Sequence, residues 1–282
     1  MQDLKLGIVD YLNCFPLLYP LKQFGYFPNI IKGAPTELNK KFLGGNLDVT
    51  PISSIEYARN ATECLILPDV SIAADGNVLS ILLISKYKIE ELSGKTVALT
   101  TSSATSVALL KILLKVHFKV EVNYKDMPPK LSSMLLATDA ALLIGDDALR
   151  EGLGYSDAFV YDLGELWKDM TGYPMIYALW VMKEDFANKH HAEVKQVATA
   201  MQRAKKYAQD NKEIILNEAQ KNYAFSPELL EKYFATIRYD FDTYYQQAVA
   251  TFYEYAFKAG LLKVVPKLKI WGTDNASQVS IR

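Results

Sequence analysis

Two patterns alternate along the first two-thirds of the chain: short, almost wholly apolar runs, and stretches whose apolar positions recur every three or four residues. The apolar runs Leu4–Val9, Leu47–Ile52, Leu79–Ser85, Thr96–Leu99, Ala140–Ile144, Phe159–Leu163 and Pro174–Val181 predict strands, and Ile30–Gly33 and Val120–Tyr124 are weaker ones. Helical spacing follows Phe15-Pro16, where proline suits a first turn, and Pro35-Thr36-Glu37, a stretch that stops at Gly44-Gly45. It recurs after Ser53-Ser54 and from Val107 to Lys115. Strands that alternate with helices predict βαβ units and a mainly parallel sheet. From His190 the pattern turns helical, over His190–Asn211, Lys212–Asn222, Pro227–Ile237 and Thr243–Ala259, with a loop-like final stretch.

The most informative segment is KTVALTTSSATSVALLKILLK, from Lys95 to Lys115. A strand there enters a helix through Thr100, Thr101, Ser102, Ser103, Thr105 and Ser106, six hydroxyls in seven positions. The first N–H groups of a helix lack internal partners, and its dipole makes that end partly positive. Such a turn holds a carboxylate or phosphate without help from Lys or Arg. A single N-cap needs only one hydroxyl. Ser53-Ser54 repeats the strand–hydroxyl–helix pattern earlier in the chain.

Composition narrows the choices. With 282 residues, half of them hydrophobic, the chain supports one large or two medium domains. A net charge of -1 and the lack of any basic run give no footprint for nucleic acid. No apolar run is long enough to span a membrane, and the opening MQDLKLGIVDYLNCF does not read as a signal peptide. Cys14 and Cys64 make no disulfide framework, which favours a cytoplasmic protein with reduced thiols.

The expected architecture is α/β, with mixed, mainly parallel sheets, a helical C-terminal part and two lobes: 1–86 plus 175–282, and 87–174. Ligands of open α/β sheets sit beyond the carboxyl ends of the strands. The polar clusters fall at such ends: Asp10-Tyr11-Leu12-Asn13, Ser53-Ser54, Thr100 to Ser106, and Gly145-Asp146-Asp147. They converge on one interlobe cleft, where an acidic ligand could take a helix start from each lobe.

The segments VDYLNCFPL, GNLDVTPISSIEYARN, ILPDVSIAADGNVLSILLISK, ALTTSSATSVALL, LLIGDDAL and YDLGELWKDMTGYPMIYALWV together resemble the chorismate dehydratases of the futalosine route to menaquinone. The resemblance runs through Val181 and departs at Asp10, where a small residue such as serine is more usual. It implies a two-lobed fold like the type II periplasmic binding proteins, no cofactor or metal, and chorismate as the small-molecule partner. It also implies elimination of water to 3-[(1-carboxyvinyl)oxy]benzoate. On this resemblance Asn13 binds or polarises the leaving hydroxyl. Thr101, Ser102, Ser103, Thr105 and Ser106 take one carboxylate, and Ser53, Ser54 or Ser80 the other, or the reverse. Asp146, Asp75 or the substrate's own enolpyruvyl carboxylate is the base.

Plainer roles stand beside these. Asn13 could cap the helix at Phe15, Asp146 and Asp147 could be helix-start carboxylates, and Asp75-Gly76 could be a turn. Cys14 reads as a packed thiol, and the aromatics from Tyr244 to Phe257 as core packing or a homodimer contact. Among rivals, a 1,4-dihydroxy-6-naphthoate synthase would bring a histidine into the second lobe's site, where only His117 is available. A non-catalytic binding protein for an acidic aromatic ligand would show binding without turnover.

Overall fold

The computed structural model describes residues 4–26, 29–152, 155 and 158–273. Among the described residues, eleven strands form two sheets. The first contains β1 (Leu6–Val9), β2 (Ile30–Gly33), β3 (Val49–Ser53), β4 (Cys64–Ala74), β10 (Met175–Lys183) and β11 (Ile237–Arg238), in the order β11-β4-β10-β3-β1-β2. The second contains β5 (Ile81–Ser85), β6 (Thr96–Thr100), β7 (Asn123–Met127), β8 (Ala140–Ile144) and β9 (Phe159–Asp162), in the order β7-β6-β8-β5-β9.

Both sheets are mixed, as expected, though with less parallel pairing than the alternation of strands and helices predicts. Parallel pairing is confined to β2-β1-β3 and β7-β6-β8, where helices return the chain to the same end. Elsewhere β10 runs antiparallel to both β3 and β4, and β5 runs antiparallel to β8 and β9. The cause is the pair of passages between the lobes: β4 leads out, β10 leads back, and the two lie side by side in opposite directions. β5, which the expected division puts with the first lobe, is an interior strand of the second sheet, and residues 75–80 connect it to β4.

The hydrophobic pattern accounts for the layers. β1, β3, β5 and β8 are buried along their whole length, as central strands covered on both faces must be. One continuous core joins Leu6 and Ile8 of the first sheet to Leu83, Val97 and Leu99 of the second. A small separate cluster seats the helix Leu131–Ala137 on the far face of the second sheet, through Leu131, Met134 and Leu135 against Leu82, Ile84 and Leu143. The C-terminal helix Thr243–Lys258 adds Phe252 and Tyr253 to the core, and Trp167 of the second lobe meets Phe252 edge-on at 5.9 Å. Tyr244 and Phe257 of the same helix remain exposed. No described helix is long and apolar enough to cross a membrane.

Candidate active site

The carboxyl ends of the central strands converge as expected, and the space between the lobes is lined from both sides. The first lobe contributes Tyr11, Asn13, Ser53 and Tyr177; the second contributes Ser103, Ser106 and Gly145; Ser80 lies on the crossing segment. Val9, Ile52, Ile72, Val78 and Ile144 complete an apolar wall. Among the described residues no Asp, Glu, Lys, Arg or His side chain lines this cavity. Its polar equipment is hydroxyls, one amide and backbone.

The hydroxyl-rich turn divides. Ser103 is the N-cap of the helix Ala104–Ile112 and accepts the Ser106 N–H at 3.2 Å, while both serines still face the cavity. Thr105 is buried and accepts the Ile55 N–H at 3.4 Å, closing the helix start of the opposite lobe. Ser102 lies close enough to the Tyr11 phenol to offset part of the upward pKa shift that burial gives it. Thr101 is exposed and lines a neighbouring groove with Thr100, Arg59 and Lys111, outside the cavity.

Other candidates are committed elsewhere. The Ser54 hydroxyl donates to the Ile176 carbonyl at 2.6 Å and does not line the cavity, so only Ser53 of the pair faces it. Ser53 itself is held by Asn39, whose amide donates to the hydroxyl at 3.2 Å. Asp75 makes a 2.6 Å ion pair with Lys168 near the surface and lies off the cavity. Asp146 also lies off the lining; its carboxylate accepts the Leu12 N–H at 3.0 Å, and burial pushes its pKa up. Neither aspartate is placed to take a proton from a ligand here. Ser80 accepts a hydrogen bond from buried Tyr233 at 2.9 Å and, through its carbonyl, the Gly145 N–H at 2.7 Å.

Asn13 does not cap the helix that follows it. The cap of Phe15–Gln23 is Cys14, and no side chain bonds there. Asn13 sits in the 3-10 turn Leu12–Cys14, its backbone carbonyl accepting the Tyr239 hydroxyl at 2.6 Å. Its Oδ1 is buried and has no hydrogen-bond partner. An unpaired buried acceptor costs about 1–3 kcal/mol, and such an atom on a residue lining a cavity between the lobes marks a place for a donor. Gly145, with φ of 60°, brings its backbone against the Tyr11 ring: a Cβ there would lie 3.0 Å from a ring carbon.

A second unpaired group escaped the sequence reading. Tyr177 lines the cavity with its hydroxyl buried and without a partner, and burial holds the phenol well above its ordinary pKa, so it stays protonated. Its placement comes from a bulge. Ile176 pairs with Ala73 and Ala178 with Ile72, which leaves Tyr177 as the extra residue and lets both 177 and 178 reach the cavity. Strand alternation alone would have pointed consecutive residues to opposite faces.

Other reactive types are quiet. The buried Cys14 thiol is pushed up to about 12 and does not ionise near neutrality. His117 packs against Phe118, and no histidine lines the cavity.

A family model described as menaquinone biosynthesis matches residues 4–258. A curated chorismate dehydratase of Thermus thermophilus is 30% identical over 254 residues, covering 85% of this chain and 90% of its own. Another from Campylobacter jejuni is 33% identical over 178 residues, covering 61% of this chain and 64% of its own. Among solved structures, a protein of Archaeoglobus fulgidus superposes with a TM-score of 0.74 at 19% identity, over 92% of this chain and 98% of that one. The periplasmic aliphatic sulphonate binding protein of Escherichia coli gives 0.63 at 12% identity, over 93% and 94%. These two likenesses establish a periplasmic-binding-protein-like fold.

Proposed function

The chain belongs to the menaquinone-biosynthesis family and to its chorismate dehydratases, and from that premise we propose how its interlobe cavity removes water from chorismate. The enzyme is a hydro-lyase. The substrate is a small dicarboxylate, and the reaction removes the proton on ring C3 and the hydroxyl on C4. The electron pair of the C3–H bond becomes the new C3–C4 double bond, the ring becomes aromatic, and the proton and hydroxide leave together as water.

The observation that carries the proposal is the pair of buried, unpartnered polar atoms, Asn13 Oδ1 and Tyr177 Oη, carried by two residues that line one cavity in which no charged side chain of the described residues takes part. Each is satisfied once a ligand brings the complementary hydroxyl or oxygen. In this reading Asn13 Oδ1 accepts from the C4 hydroxyl and orients it for departure. Ser103 and Ser106, at the start of the helix Ala104–Ile112, face the ring carboxylate. As C3 loses its proton, charge moves by vinylogy onto that carboxylate, and donors already aimed there lower the barrier. Ser53 and Ser80 then face the enolpyruvyl carboxylate.

No described carboxylate of the chain lines the cavity, which favours the substrate's own enolpyruvyl carboxylate as the base: it takes the C3 proton and passes it to the departing C4 hydroxyl, which leaves as water while the carboxylate is restored. The protein then serves mainly to position reacting groups, a contribution worth several orders of magnitude in rate. Exclusion of water by lobe closure keeps those contacts strong.

The test is chromatographic. Purified protein incubated with chorismate should convert it to 3-[(1-carboxyvinyl)oxy]benzoate. Tight binding with the substrate recovered intact would make the protein a binder, and neither binding nor conversion would overturn the substrate assignment.

A further inference from the structure

Asp146 is the one carboxylate of the strand-end clusters that reaches across the lobes, and its bond is not the one a helix-start aspartate makes. Such a carboxylate ordinarily accepts N–H groups of its own turn. Here the recorded bond runs to the Leu12 N–H, 134 residues away in the other lobe, at 3.0 Å. Gly145, next to it, meets the ring of Tyr11, one residue before Leu12. From the opposite side the Tyr239 hydroxyl holds the carbonyl of Asn13 at 2.6 Å. The turn 11–13 is therefore gripped from both lobes, and the side chain it presents is that of Asn13, whose Oδ1 is buried and has no partner among the described residues.

We propose that Asp146 is a positioning residue for the dehydration, clamping the Leu12 amide so that the Asn13 side chain is set in place only when the lobes are together. This rests on the role given to Asn13 under the proposed function. Leu12 belongs to the first lobe and Asp146 to the second, so the bond forms on closure and breaks on opening. Closure and the setting of Asn13 become a single event. Asp146 acts through Leu12 and touches no reacting atom, which separates it from a general base.

Two variants and one exchange measurement test the clamp. Asp146→Asn keeps an oxygen that accepts the Leu12 N–H, and its kcat should stay within about 3-fold of wild type, because the acceptor geometry survives. Asp146→Ala removes the acceptor, and kcat should fall about 10–100-fold, as expected for misplacement of a reacting group, with a much smaller change in KM. Hydrogen exchange at the Leu12 amide should be faster in Asp146→Ala than in wild type and unchanged in Asp146→Asn. Equal loss of kcat in the two variants would overturn the proposal in favour of a role for the charge or the proton. Wild-type kcat in Asp146→Ala would overturn it as well. Should Asp146→Ala fail to fold, the asparagine variant and the Leu12 amide of wild type decide: slower exchange with product bound supports the clamp, and unchanged exchange overturns it. Wild-type protein that does not convert chorismate would overturn the functional reading alone, because Leu12 exchange without ligand still reads the clamp.

Discussion

Asn13→Leu should make the protein more stable and useless as a catalyst. Leucine has nearly the shape of asparagine without its polar atoms, so the substitution removes a buried Oδ1 that has no partner in the ligand-free chain. A buried acceptor left unpaired costs about 1–3 kcal/mol, and that cost disappears when the atom does. For a chain of this size each kcal/mol moves Tm by about 2 °C or slightly more, which predicts a rise of about 2–6 °C. Turnover should fall about 10²–10³-fold, the usual loss when one preorganised polar contact to the reacting group is removed. Thermal unfolding followed by circular dichroism gives the first number, and chromatographic assay with chorismate the second. Product should stabilise wild type in proportion to the logarithm of its concentration over Kd, and the variant much less. A lower Tm would mean that Asn13 is held by the fold in a way the structure does not contain. Retained turnover would refute its part in the chemistry.

Three further outcomes follow from neighbouring groups. Tyr177→Phe removes a buried hydroxyl without a partner, so Tm should hold or rise while KM for chorismate rises about 10-fold; a clear drop in Tm would contradict the free hydroxyl. Gly145→Ala forces a left-handed backbone on alanine and brings a Cβ to 3.0 Å from the Tyr11 ring. A loss of about 1–2 kcal/mol from the backbone alone, with a further fall in kcat as Tyr11 shifts, should appear in denaturant titration and kinetics. Burial holds the Asp146 carboxyl above the usual carboxylate range, so the fold favours its neutral form. Its contribution to stability is complete below the unfolded carboxylate value and is lost as pH rises through the folded one. Asp146→Asn should therefore be more stable than wild type at about pH 7, with the gap closing near about pH 4; a gap that widens on acidification would reverse the sign.

Much of the cavity was legible because its residues stand at strand ends. Tyr11, Asn13, Ser53, Ser103, Ser106 and Gly145 each follow a short apolar run, and the topology brings those ends together. What failed had specific causes. β4 gave no strand signal because Pro68, which has no N–H to give, and Asp69, with φ of 63°, interrupt its pairing midway. Without β4 the extent of antiparallel pairing was not legible, nor was the pairing of β5 with β8 and β9 in the second sheet. β7 begins later than expected because Lys119 turns left-handed and Val120 bonds back to the Leu114 carbonyl. Tyr177 was hidden by its bulge, a register event between two strands distant in sequence. Ser54, Thr101, Asp75 and Asp146 share residue types with true lining groups, and only tertiary partners separate them.

The measurement that bears most directly on the account is the fate of chorismate incubated with purified, metal-stripped protein, with substrate and product quantified together. The account predicts loss of chorismate matched mole for mole by 3-[(1-carboxyvinyl)oxy]benzoate, over many turnovers and without an added cofactor. Chorismate bound but recovered unchanged would contradict it, leaving a two-lobed binding protein whose unpaired Asn13 and Tyr177 serve recognition alone.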